Sequence, residues 1–363
     1  MEALIQALQS QSTFFSQFSE SLLALIFFVL FGLLFATVAA VCALVFVYLE
    51  RKVSAHMQDR LGPMEVNTEI PVLKKIGHGW AQTLADAFKL LLKEDIIPDA
   101  ADRRLHLIAP FILFAAVIAA FAVMPFGEKL VVSDMNIGVF FVLAITSFSV
   151  IGVILAGWAS NNKWSLLGGM RSAAQIVSYE IPNGLVVLVI VMQVGSMRFN
   201  DIVIAQSGGI LNWHVFQFFP LNLIAFIIAF LATLAEANRA PFDLPEAESE
   251  LTAGFATEYS GFKWAIFYLS EYANMFLIGI FLSALFLGGW TSPFGSLFGG
   301  FFDQPGWQPI WIILKAVAIV FLQMWLRWTL PRLRVDQLMY TSWKVLTPFA
   351  FVAIFGVGLW MLF

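Results

Sequence analysis

Apolar residues in this chain fall in long runs separated by shorter polar stretches. About eight runs are long enough to cross a bilayer, roughly residues 21–49, 107–124, 137–157, 174–194, 219–236, 264–288, 310–330 and 345–362. A spanning helix needs on the order of 20 apolar residues, each adding about 1.5 Å of rise. The first run exceeds one crossing and is expected to tilt or to project past the lipid. The fourth and fifth are interrupted or short, and each carries a glutamate, Glu180 and Glu236. Residues 76–92 are patterned differently: Ile76, Trp80, Leu84, Phe88 and Leu91 recur at helical spacing, with Gln82, Asp86 and Lys89 on the opposite face. That pattern predicts an amphipathic helix lying on the membrane surface. The expected fold class is an all-α integral membrane protein with about eight transmembrane helices, forming a single membrane domain over residues 1–363 without an internal repeat.

Composition agrees with the pattern. The chain is 60% hydrophobic and 12% charged, with a mean hydropathy of +0.85, well outside the balance of soluble domains. No basic patch interleaved with aromatics is present, which argues against nucleic acid. The segment before the first run has no Lys or Arg, so that run is expected to be a retained span, not a cleaved signal peptide.

Lys and Arg set the expected orientation. With connectors assigned alternately to two sides, one side collects about 17 of them, among them Arg51, Arg60, Lys89, Arg171, Arg239 and Arg327. The other side holds Lys129 and Arg198, while Lys315 falls inside the seventh run, close enough to its end to snorkel. The positive-inside rule then puts both termini outside, on the periplasmic face, and the amphipathic helix on the cytoplasmic side.

The lone cysteine, Cys42, cannot form an internal disulfide, a four-thiolate cluster or a structural zinc site. His56, His78, His106 and His214 are scattered, with no pair at metal-ligand spacing. No metal site and no redox centre are therefore expected in the chain.

Function is sought where charge is expensive, because a carboxylate in the bilayer needs a partner, water or a proton. Glu180 lies in SYEIPNGL, where Pro182 frees a nearby backbone carbonyl; Glu236 ends the short fifth run; Glu271, in LSEYANMF, is the deepest. No Lys or Arg shares the span of Glu271 beyond Lys263 at its end, so Glu271 is expected to lack a cationic partner. The connector from Glu236 to Gly261 sets Glu236, Asp243, Glu246, Glu248, Glu250 and Glu258 against Arg239 alone. So many acids cannot all ionise cheaply when partly desolvated, and such a group titrates as a unit that can hold and pass protons. Pro241, Phe242, Leu244 and Pro245 interleave these acids, which predicts a re-entrant, packed segment.

The runs ERKVSAHMQDRLGP (Glu50–Pro63), ADAFKLLLKE (Ala85–Glu94), LLGGMRSAAQIVSYEIP (Leu166–Pro182) and EANRAPFDLPEAESEL (Glu236–Leu251) resemble the H-subunit family of bacterial NADH:quinone oxidoreductase, complex I, whose mitochondrial counterpart is subunit 1. The similarity extends over essentially the whole chain. It implies a multi-pass inner-membrane component of an NADH:quinone oxidoreductase that, with peripheral quinone-site subunits, forms the quinone chamber and couples quinone reduction to proton translocation. Its other implied partners are antiporter-like membrane subunits and membrane lipid. Quinone is then the substrate, and FMN and iron–sulfur clusters belong to partner subunits. By resemblance, Arg51, Arg60, Asp86 and Lys89 line the entrance of the chamber, and Arg171 and Arg239 are its cationic members near the acidic loop. Glu180, Glu236, Asp243, Glu246, Glu248 and Glu250 begin an acidic path toward the pumping subunits, with Glu271 assigned to the same relay.

Three other classes are open to the sequence, one of them a passive assembly scaffold, which predicts that removing the acids leaves turnover intact. The homologous membrane component of an energy-converting hydrogenase shares the acidic loop without a quinone. A stand-alone transporter is disfavoured by the missing repeat.

Overall fold

The computed structural model describes residues 19–64, 66, 79–244, 248–295 and 301–362. Among these residues the regular structure is helical. Its long elements are α1 (Glu20–Met57), α2 (Gln82–Leu92), α3 (Arg103–Phe121), α4 (Gly138–Ala159) and α5 (Lys163–Val194). They are followed by α6 (Phe199–Ala205), α7 (Leu221–Glu236), α8 (Glu248–Leu251), α9 (Gly261–Phe286), α10 (Gln308–Thr329), α11 (Val335–Tyr340) and α12 (Thr347–Leu362). A π-helical turn, Thr341–Leu346, joins α11 to α12 into one span.

Seven helices among the described residues are long and apolar enough to cross a membrane: α1, α3, α4, α5, α9, α10 and the α11–α12 composite. The eighth expected crossing is α7, a shorter apolar helix of 16 residues, about 24 Å long. At 38 residues, or about 57 Å, α1 exceeds a hydrocarbon core of about 30 Å, as its long run requires. The run around Glu180 is not interrupted: α5 is continuous from Lys163 through Pro182 to Val194.

Two side-chain contacts keep it continuous there. Pro182 has no N–H for the carbonyl of Ser178 four residues back. That carbonyl instead accepts from Ser342 Oγ in the π-turn, at 2.6 Å. Tyr179, fully buried, donates to Leu338 O at 3.1 Å and meets Thr341 Oγ1 at 2.8 Å, so the last span is keyed to the same turn of α5.

The most enclosed span is α9, and the least enclosed is α1, whose outer face shows Leu25, Phe28 and Leu33. Close approach in the centre depends on a missing side chain: a Cβ on Gly279 of α9 would stand 2.8 Å from Ala316 O of α10. Those helices therefore touch backbone to backbone, as small residues allow in membrane bundles.

Connectors collect at two ends, as the alternating assignment expects. At one end Asp102 N donates to Ala159 O, Asn161 Nδ2 to Ala100 O, Ile96 N to Ser260 Oγ, and Leu333 N to Pro241 O. This is the end that carries most of the Lys and Arg. At the other end Arg198 binds Asp134, Glu128 N donates to Gln308 Oε1, and Ile210 N donates to Pro293 O. The Arg198 guanidinium holds the Asp134 carboxyl below its usual range.

Lys315 departs from expectation. It does not snorkel: its side chain is buried, and Nζ donates to Gly289 O at 2.9 Å and Thr291 O at 2.8 Å, above the ring of Trp213. The loop 288–291 folds over the end of the span and supplies the polar cap that water would otherwise give.

The described part of the amphipathic segment is α2; Ile76 lies outside the described residues. Its polar residues Gln82 and Asp86 turn toward Arg51 of α1, and Trp80, just ahead of it, stacks on Tyr48 with ring centroids 4.2 Å apart. Leu84, Phe88, Leu91 and Leu92 face outward, uncovered by the rest of the chain.

Candidate functional site

A polar cluster sits where α1, α9, α10 and the connector after α7 meet, and its hub is Arg239. The connector folds inward, as its Pro and Phe content predicts: Arg239 is 2% exposed, and Phe242 and Leu244 are buried beside it. Backbone contacts hold it there. Gly168 of α5 lies so near Gly254 that a Cβ would stand 2.7 Å from its Cα, and Ser165 Oγ donates to Phe255 O at 2.9 Å. Gln175 Nε2 donates to Ala235 O at 2.8 Å and fixes the end of α7 against α5.

Arg239 Nη1 donates to both carboxylate oxygens of Glu50, at 2.9 and 3.1 Å. Its Nε stands 2.6 Å from Glu271 Oε1, a charge contact approached off the N–H direction, and its guanidinium lies 4.3 Å from the Tyr272 ring centre. Tyr272 OH donates to Glu50 Oε2 at 2.6 Å, and Arg327 Nη1 donates to Glu50 Oε1. Two carboxylates and two guanidiniums thus close on one another. Burial alone would weaken the charged form of Arg239, but Glu271, Tyr272 and Glu50 outweigh it and hold the guanidinium charged well above its usual range.

The expectation for Glu271 is corrected here. It does not lack a cation, because Arg239 reaches it from another stretch of chain. The balance expected for the connector also changes. Its acids are not ranged against Arg239: Glu250 binds Arg171 at 2.6 Å, Asp243 binds Arg332 at 3.2 Å, and Glu258 accepts from Asn162 Nδ2 at 2.6 Å. Glu246 lies outside the described residues, and Glu248 opens α8.

From Glu271 a cavity of about 180 Å³ extends between the helices, lined among others by Glu236, Asn238, Tyr268, Asn274 and Thr146. Glu236, at the end of α7, accepts from Asn183 Nδ2 of α5 at 2.9 Å. Glu180, half-buried, stands one turn before Asn183 on α5. Glu271 of α9 and Glu236 of α7 therefore line the same cavity, and Asn183 links Glu236 to the stretch of α5 that carries Glu180.

The basic residues near α2 form a second group. Arg51 Nη1 binds Asp86 Oδ2 at 2.6 Å, and Gln82 Nε2 reaches Asp86 Oδ1 at 3.1 Å. Lys52 Nζ donates to Leu61 O and Pro63 O, at 3.1 and 2.9 Å, and Gly62 takes φ 68° to make that turn. Arg60, exposed, contacts Gln58 Oε1 through Nε at 2.8 Å, and Lys89 is exposed on α2. Among the described residues no three His, Cys, Asp or Glu side chains converge as metal ligands.

Glu50, Arg327 and Tyr272 were not singled out by sequence as site residues. A signal for Glu50 existed: it ends a long apolar run, yet it is followed at once by Arg51 and Lys52, so it could be read as surface charge. Only folding shows it buried.

Fold and site together define an integral membrane protein with a buried, charge-balanced cluster opening on an acidic seam. Comparison with known proteins is specific. The NADH dehydrogenase family model matches residues 27–358, and the chain belongs to that family. It is 50% identical over 322 residues to the H subunit of the NADH-quinone oxidoreductase of Chlorobaculum tepidum, covering 87% of each chain. It is 51% identical over 323 residues to the same component from Chlorobium luteolum, covering 87% of this chain and 84% of the relative. The counterpart from Anaeromyxobacter dehalogenans is 42% identical over 360 residues, which covers 96% of this chain and 85% of that one.

Proposed function

We propose that this chain forms the membrane wall of a quinone chamber in a proton-translocating NADH:quinone oxidoreductase and passes the effect of quinone reduction to the pumping subunits. The relatives' names supply the reaction, and favour it over the hydrogenase reading. Electrons would move through FMN and iron–sulfur clusters held by peripheral partners, and the complex would lie in the inner membrane with the basic end of this bundle facing the cytoplasm.

The observation that carries the reading is the seam itself. A buried Glu50–Arg239–Glu271 cluster adjoins a cavity that also reaches Glu236, which accepts a hydrogen bond from Asn183 of α5. Acids in an apolar bundle are costly, and here Glu50 of α1, Glu271 of α9 and Glu236 of α7 gather around the connector and its cavity. Arg51, Asp86, Arg60 and Lys89, beside the uncovered apolar face of α2, would line the entrance for the quinone tail. Arg171 and Arg239 would hold the acidic connector, with Asp243, Glu246, Glu248 and Glu250, against the chamber.

The test is Glu236→Gln in the whole complex. Quinone-coupled turnover and proton pumping should fall while NADH oxidation by an artificial acceptor that bypasses quinone persists. Unchanged quinone reduction and proton yield would remove Glu236 from the relay.

A further inference from the structure

Asn183 was given no role by the sequence, yet it joins Glu236 to the stretch of α5 that carries Glu180. It lies one turn after Glu180 on α5 and is fully buried. Nδ2 donates to Glu236 Oε1 at 2.9 Å, whereas Oδ1 has no hydrogen-bond partner. Beside it is a void of about 10 Å³ lined by Asn183, Thr146, Thr233 and Glu236 together with apolar side chains. That is about the space one water needs. Thr146 and Glu236 also line the larger cavity that reaches Glu271. Beyond Asn183 is Glu180, whose Oε1 is likewise buried without a partner.

The hydroxyls facing the void have their protons engaged. Thr146 Oγ1 donates to Val142 O and Leu143 O, and Thr233 Oγ1 donates to Ala229 O and Phe230 O. Each therefore offers the void only lone pairs. The one group there that can change between donor and acceptor without changing charge is the amide of Asn183. An ionised Glu236 only accepts, so it selects the amide with NH₂ toward it, the orientation observed. A protonated Glu236 carries an O–H, which is best met by Oδ1, and rotation of the amide then turns NH₂ toward the void. A water there would have to reverse its own orientation.

We infer that Asn183 is a positioning residue that reads the protonation state of Glu236 and, by turning its amide, sets the direction of hydrogen bonding in the water-sized void that the two side chains line. The amide turns by rotation about its own side-chain bond and neither gains nor loses a proton; the only covalent bond that forms or breaks is the O–H of the Glu236 carboxyl. The inference rests on the relay proposed above, and the controls separate the two.

The experiment uses the assembled complex with Asn183→Leu, which removes both arms of the amide at similar volume. Asn183→Asp, which keeps the shape but cannot donate to an ionised Glu236, decides the matter if the Leu variant does not assemble. The readouts are proton pumping and the infrared C=O band of the protonated Glu236 carboxyl, assigned by its loss in Glu236→Gln. In Asn183→Leu the band should shift in frequency, because its partner is gone, and in either variant pumping should fall several-fold. A band that stays in place in Asn183→Leu, or normal pumping in the Asn183 variants while Glu236→Gln is impaired, overturns the inference. Normal pumping in Glu236→Gln overturns the relay and this inference with it.

Discussion

Arg239 Nη1 reaches both oxygens of Glu50, at 2.9 and 3.1 Å, although 189 residues separate them. One lies near the end of α1 and the other in the connector after α7, so the pair ties the outermost span to the re-entrant segment. Removing one partner of a buried pair leaves an uncompensated charge, at a cost of about 3–5 kcal/mol. Glu50→Leu is expected to lower the thermal stability of the complex by that order. Arg239→Leu should destabilise as well, because Glu271 then loses its cation. Melting of the membrane arm in detergent checks both, and a Glu50→Leu variant as stable as wild type would mean Arg327 and Arg239 find other partners.

The carbonyl of Ser178 is satisfied only from a distant element. Ser342→Ala strands it in a buried site, at an expected cost of about 1–3 kcal/mol. Pro182→Ala provides an N–H four residues on, so the double variant should recover most of that loss. A double-mutant cycle on unfolding measures the coupling, and additive effects would show that Ser342 does not serve this carbonyl.

His214, in the connector before α7, is buried, and burial pushes its imidazole below the ordinary value against the opposing hydrogen bond to Gln217. A group depressed in the fold binds its proton more readily when unfolded. The neutral form's stability is therefore present above the unfolded value of about 6.5 and is lost as pH falls through it. As pH falls from about 7.5 to about 5.5, the protection factors of residues 206–222, taken relative to the intrinsic exchange rate at each pH, should drop in wild type. With His214→Asn that pH dependence should flatten; an unchanged slope would locate it in another group.

Arg60 is exposed, and its Nε donates to Gln58 Oε1 in the same turn. Placed at a quinone entrance, it would steer the headgroup before the tail follows. Arg60→Ala should then raise the apparent KM more for a long-tailed quinone than for a short one, with kcat nearly kept. Steady-state kinetics with the two substrates decides it, and equal effects would make Arg60 a brace for its loop.

Much of this architecture was legible along the chain. Hydropathy is a sum over neighbours, so the spans, the short α7 and the amphipathic α2 could be read from local pattern. The inward fold of the acidic connector followed from Pro241, Phe242 and Leu244 placed among its charges. The basic and bland connectors also separate to opposite ends, because a helix count and a charge count are both one-dimensional.

The pairing of charge was not legible. Glu271 looked partnerless because its own span has no nearby cation, yet Arg239 arrives from a connector 32 residues earlier in the sequence. Glu50 was not singled out, since Arg51 and Lys52 follow it directly, and Lys315 looked free to snorkel because it sits near a helix end. The sequence determined which segments enter the membrane and which acids enter with them. Only the tertiary structure decided which cation each acid meets, because ion pairing acts through a few ångströms of space, whereas residues such as Glu50 and Arg239 are brought within that range by packing and not by position in the chain.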